Sequence, residues 1–111
     1  MGGIMDWCFK LKESWLKKDV KNILELFSED VVYYESPFCK IDNLLEVWEE
    51  IKSQEIKRLD YEILCENNNV IIANFKLEDQ LGYTDMIYEI RLNQDKKCNY
   101  FKQWYMVNNV C

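Results

Sequence analysis

Ile4, Trp7, Cys8, Leu11 and Trp15 recur at helical spacing, and Met5, Phe9 and Leu16 widen the stripe. The pattern predicts a first helix from about Met5 to Lys18, packed on one broad face. Val20, Ile23, Leu24 and Phe27 then fall at i, i+3, i+4 and i+7, which predicts a second helix over 19–27 with Asp19 placed to cap its first N–H groups. Ser28 to Asp30 end that helix. Val31 to Tyr34 are β-branched and aromatic, so a first strand is predicted over 30–35. Pro37, which can neither donate to a ladder nor continue it, stops the strand. Asn43 followed by Glu46 has the form of a capping box. Leu44, Val47, Trp48 and Ile51 repeat the helical spacing, predicting a third helix to about Gln54.

Beyond Gln54 the period changes from 3.6 to two. Leu59, Tyr61, Ile63 and Cys65 alternate with Asp60, Glu62 and Glu66, as in a half-buried strand, and Asn67 to Asn69 suit the positive φ of a tight hairpin. Further strands are predicted over 70–77, over 83–92 after a turn containing Gly82, and over 98–107 after the polar turn 93–97. The order α-α-β-α-β-β-β-β is an α+β layout. One curved antiparallel sheet is expected to wrap the three N-terminal helices.

Composition narrows the possibilities. The chain has 111 residues, 49% of them hydrophobic, with three Gly and one Pro, and neither a linker nor a repeat, so residues 1–111 are expected to form a single domain. Its net charge of −6, with Lys and Arg interleaved among acids, disfavours a phosphate backbone, so no nucleic-acid partner is expected. No apolar run approaches a membrane span, and MGGIMDWCFK lacks a basic segment leading into an apolar core. No membrane association and a cytoplasmic location are therefore expected. Met1-Gly2 does not make a myristoylation signal, because Asp6 stands where Ser or Thr is required. The five cysteines Cys8, Cys39, Cys65, Cys98 and Cys111 include no C-x-x-C pair; they are expected to be reduced and buried, with Cys111 at the surface.

The helix-turn-strand DVKNILELFSEDVVYYESPF, the Asn43-Leu44-Leu45-Glu46-Val47-Trp48 helix and the terminal FKQWY strand resemble the nuclear transport factor 2-like superfamily, especially its SnoaL-like and ketosteroid-isomerase-like members. The resemblance spans nearly the whole chain. It implies a cone-shaped, cystatin-like α+β barrel with a pocket between the concave sheet and the helices, and frequently a homodimer. The isomerases' base is an aspartate just before the proline that follows the first strand, and here that position is Ser36. Their first-helix tyrosine falls near Leu11, and their protonated strand aspartate aligns with Tyr88. A serine hydroxyl is no base near neutral pH without an activator. The chain also has no histidine, which removes His-dependent dyads, triads and His-ligated metals. No catalytic residue, metal or cofactor is assigned.

With Ser36 and Tyr88 taken as inward from the resemblance, alternation places Tyr34 on the same face as Ser36, Met86 beside Tyr88, and Phe101, Gln103 and Tyr105 on the last strand. Trp15, on the first helix, is expected to join them as a covering residue. These eight residues, Trp15, Tyr34, Ser36, Met86, Tyr88, Phe101, Gln103 and Tyr105, suit a flat, mostly apolar ligand, although aromatic side chains at this spacing also simply fill cores. Ile72, Tyr100, Trp104 and Met106 then share the outer face, an apolar surface that a second copy would cover. Three functions stay open: a non-catalytic binder of a small molecule; an isomerase-, cyclase- or hydrolase-type enzyme using Glu35 or Asp85 with Tyr88 as donor; and a dimeric interaction module with a filled cone. The volume inside the cone separates the last from the other two.

Overall fold

The computed structural model describes residues 6–109, without the side chain of Asn109. Ile4 and Met5 of the expected first helix, the Met1-Gly2 pair and Cys111 lie outside the described residues. Helix α1 is Trp7–Leu16, and the carboxylate of Asp6 caps it by accepting from the Phe9 N–H at 2.6 Å. Helix α2 is Val20–Glu25, capped by Asp19 as its sequence predicts, through the Asn22 N–H at 3.1 Å. Helix α3, Leu44–Glu49, is capped by Asn43 and tightens into one 3-10 turn, Glu50–Ser53.

Six strands follow in chain order: β1 Phe27–Ser36, β2 Cys39–Ile41, β3 Arg58–Asn67, β4 Val70–Asp79, β5 Gly82–Leu92 and β6 Cys98–Asn109. They form one curved, unclosed sheet in the order β2-β1-β6-β5-β4-β3. The short β2, absent from the sequence reading, folds back on β1 as a hairpin across Pro37 and Phe38. The sheet is mixed, which corrects the expectation of a wholly antiparallel one. After α3 the chain restarts at the far edge and returns by the meander β3 to β6, so β6 meets β1 running the same way, with Tyr33 beside Phe101. The Cys98 N–H donates to the Leu26 carbonyl at 2.8 Å, anchoring this join where α2 becomes β1.

Helices and concave face share one aromatic core. Trp7, Leu11 and Trp15 from α1, Ile23 from α2 and Trp48 from α3 pack on Phe27, Tyr33, Phe75, Tyr88 and Phe101. Tyr33 stacks on Phe101 with ring centroids 4.7 Å apart and planes 6° from parallel, and Trp15 meets Trp48 edge-on at 5.2 Å. Such pairs add to the large apolar area each ring already removes from water.

Bulges decide which side chains reach this core. At a bulge one strand carries an extra residue, so alternation resumes on the opposite face. Glu35 is the extra residue between Tyr34, paired with Lys40, and Ser36, paired with Cys39. Leu64 interrupts β3 between Ile63 and Cys65. Trp104 interrupts β6, since Tyr88 pairs with Gln103 but Ile87 with Tyr105. Cross-strand partners point the same way, so Cys65 joins Ile72 outside while Ile63 stays with Ala73 inside. The cysteines divide accordingly: Cys8 and Cys98 are buried, but Cys39 and Cys65 are exposed, contrary to the sequence reading of all four as core.

Candidate functional site

The concave face is not filled to its end. Between β1, the distal end of β6, and α3 with its 3-10 turn lies an open cleft of about 580 Å3. Trp15, Tyr33, Trp48 and Tyr88 form its aromatic walls, Val47 and Ile51 its helical side, and Ser36, Gln54 and Gln103 its neutral polar groups. Several of these are held in place. The Trp15 indole N–H donates to Gln54 Oε1 at 2.9 Å, and Gln103 Nε2 donates to the Glu35 carbonyl at 2.7 Å. The Tyr88 hydroxyl donates to the Met86 thioether at 3.0 Å. Burial pushes the Tyr88 phenol well above its ordinary pKa. Burial does the same to Tyr33, opposed by the neighbouring Trp48 indole N–H. Both phenols are therefore neutral at physiological pH and carry a proton to donate.

The charged groups in the lining are Glu35 and Glu50, and no lysine or arginine joins them. Among the described residues no cluster of His, Cys, Asp or Glu could hold a metal ion.

The structure gathers five of the eight sequence-selected residues, Trp15, Ser36, Tyr88, Gln103 and Tyr105, around this cleft. Tyr105 stands at the rim: the Trp104 bulge pairs it with Ile87 on the convex side, while Met106 pairs with Met86 and so belongs to the concave side, the reverse of the expected assignment. Met86 and Phe101 are buried in the core. Tyr34 is on the convex face, where its ring approaches Tyr100 at 6.2 Å and carries Lys102 Nζ at 4.9 Å. The bulge at Glu35 separates it from Ser36 and brings Tyr33 inward instead. Asp85 is also turned away from Tyr88; it pairs across the convex side with Lys76 and accepts from Asn74.

Tyr33 and Trp48 were missed as site residues. Trp48 carried a helical-core signal that is equally the signal of a cleft wall, and nothing in YYESPF distinguishes the two tyrosines without the bulge.

No protein-family model matches the chain, and no curated protein matches it in sequence. Solved structures do. An uncharacterised Silicibacter pomeroyi protein with a cystatin-like fold is 17% identical at a TM-score of 0.70, covering 96% of this chain and 77% of that one. A computationally designed 17-OHP binder is also 17% identical at a TM-score of 0.70, over 95% of this chain and 96% of its own. A SnoaL-like protein of unknown function from Burkholderia thailandensis is 9% identical at a TM-score of 0.68, over 92% of each chain. The fold is thus the cystatin-like α+β fold of nuclear transport factor 2-like and SnoaL-like proteins, as the sequence resemblance implies.

Proposed function

We propose that this protein binds a small, mostly apolar molecule in the cone cleft, without catalysing its conversion. The observation that carries the reading is the cleft itself: about 580 Å3 of open space, walled by four aromatic side chains and edged by amides and a hydroxyl. This volume lies within the ~300–1,000 Å3 typical of ligand pockets. It argues against the interaction module, whose cone would be filled. The designed 17-OHP binder adds support, since the same fold there holds a small molecule.

Glu35 with Tyr88 is the pairing that keeps an enzyme reading in view, because both line the cleft. Glu35 is exposed at its mouth and the Tyr88 hydroxyl is spent on a thioether, so neither is arranged as a buried acid–base pair. A second copy of the chain covering the convex face, where Trp104 and Tyr105 are each 49% exposed beside Ile72 and Tyr100, completes the proposal, with the cytoplasm as its location.

Neutral polycyclic aromatic compounds, screened by thermal shift and then titrated into 15N-labelled protein, are expected to move the Trp15 indole and Gln103 side-chain amide signals. A screen in which no compound stabilises the protein, or in which only convex-face signals move, would refute the ligand site.

A further inference from the structure

Phe38 stands at the tip of the β1–β2 hairpin with 97% of its surface exposed; Leu81, at the tip of the β4–β5 turn, follows at 63%. A single exposed apolar side chain is ordinary on a protein surface. What separates Phe38 from Leu81 is its neighbourhood. Pro37 before it and Cys39 after it both line the cone cleft, as does Ser36, which pairs across the hairpin with Cys39. Phe38 itself does not line the cleft, although its neighbours on either side do.

The base of this hairpin is fixed and its tip is free. Gln103 Nε2 donates to the Glu35 carbonyl at 2.7 Å, which ties the bulged residue to β6. The ring of Pro37 sets its own φ, so the backbone course of the turn is settled just before Phe38. Strand β2 is three residues long, pairs with β1 alone and lies at a margin of the sheet. Segments with few buried apolar contacts rearrange at little cost, and the torsions of an exposed side chain interconvert in picoseconds to nanoseconds. From a turn flanked by cleft-lining residues, one setting of those torsions carries the Phe38 ring across the mouth.

In the free protein the ring gains little there, because the mouth is open to water. A ligand whose apolar end reaches the mouth changes that balance: the ring then covers it, and apolar area leaves water on both sides. A charged or hydrated ligand end offers no such gain. Resting on the reading of the cleft as a ligand site, we infer that Phe38 is a specificity-determining binding residue, which folds over the mouth onto the outer end of a bound apolar ligand and favours ligands long enough to reach it.

Two neutral probes test the inference: N-phenyl-1-naphthylamine, titrated by its own fluorescence, and the shorter 1-naphthylamine, titrated by competition with it. Phe38→Ala is expected to weaken N-phenyl-1-naphthylamine about five- to twentyfold, chiefly through faster dissociation, and to change 1-naphthylamine by less than about twofold. Phe38→Leu, smaller but still apolar, is expected to fall between wild type and Phe38→Ala. Urea midpoints of the free protein should coincide for wild type and Phe38→Ala, since an exposed ring adds no packing. In protein labelled with 4-fluorophenylalanine, the 19F signal missing from Phe38→Leu belongs to Phe38, and it should shift when N-phenyl-1-naphthylamine binds. An unmoved 19F signal in the bound state, an equal loss for both probes, or wild-type binding by Phe38→Ala would overturn the closing ring and leave the ligand cleft standing. A lowered urea midpoint for Phe38→Ala would overturn it too, because the ring would then already be packed in the free protein. Failure of both probes to bind would remove the cleft reading and this inference together.

Discussion

Phe101 is the residue on which the two halves of the core converge. Its ring lies 4.7 Å from Tyr33, 4.6 Å from Tyr88, 5.7 Å from Phe27 and 6.3 Å from Trp7, so a strand from each side of the sheet and the first helix all pack on it. Truncation to alanine removes that convergence and leaves a void that close-packed neighbours cannot fill. Phe101→Ala is expected to lower stability by about 3–5 kcal/mol in urea unfolding. Tyr88→Phe, one ring away, removes only a hydroxyl bonded to a weak thioether acceptor and is expected to cost less than about 1 kcal/mol. Equal losses for the two would mean that the Tyr88 hydroxyl has a stronger partner than Met86.

Among the elements, β6 shows how a single extra residue redistributes chemistry. Trp104 keeps the convex face that alternation gives it, and the bulge there sends Tyr105 to the same side; the Trp104 N–H donates to Glu89 at 2.8 Å, Lys102 Nζ lies 4.0 Å from its ring and Arg91 donates to the same carboxylate at 2.7 Å. Burial alone would raise the Glu89 carboxyl, but the bonds from Trp104 and Arg91, with Lys102 nearby, hold it below the usual range. A carboxyl depressed in the fold stabilises above its unfolded pKa and loses that contribution as acid protonates it. Glu89→Gln is therefore expected to cost about 1–3 kcal/mol near neutrality. Its difference from the wild type should shrink below about pH 4, where the wild type loses the same ionic bonds. An offset that stays constant across that range would show that the ion pair contributes nothing.

The same bulges explain what could be read from the sequence. Every helix and all the long strands were legible, because amphipathic spacing and cap residues such as Asp19 and Asn43 act within a few positions. Tyr88 is inward as the resemblance implies, and alternation along the unbroken part of β5 then places Met86 beside it, both buried in the structure. Tyr34, Cys65, Tyr105 and Met106 were not placed correctly, since an extra residue at Glu35, Leu64 or Trp104 stands between each of them and the residue from which its face is counted, and a bulge leaves no change in apolar content to betray it. Asp85 shows a different limit: an acid near the right tyrosine in sequence sits on the other face of the same strand.

For the whole molecule, the unpredicted step was the parallel join of β1 to β6. It depends on contacts between residues about seventy positions apart, and local pattern carries no information about which distant strand will arrive. That join leaves the convex face open from β1 to β3. Arg91 covers Tyr100 at 4.8 Å and Lys102 covers Trp104, yet Trp104 and Tyr105 remain half exposed. If a second copy covers them, light scattering on a size-exclusion column should give twice the chain mass at micromolar concentration, and Tyr105→Lys should return it to the monomer mass. A wild-type monomer under those conditions would sink the dimer.

An unclosed sheet also has two margins, the three-residue β2 at one and the long β3 at the other. A long, smooth rim of free amides would recruit other chains into endless ribbons. Here Arg58, Asp60, Glu62 and Glu66 stud the rim with charge, and the kink at Leu64 breaks its straightness. The irregularity that obscures the register of β3 in the sequence thereby also guards the protein against amyloid-like stacking.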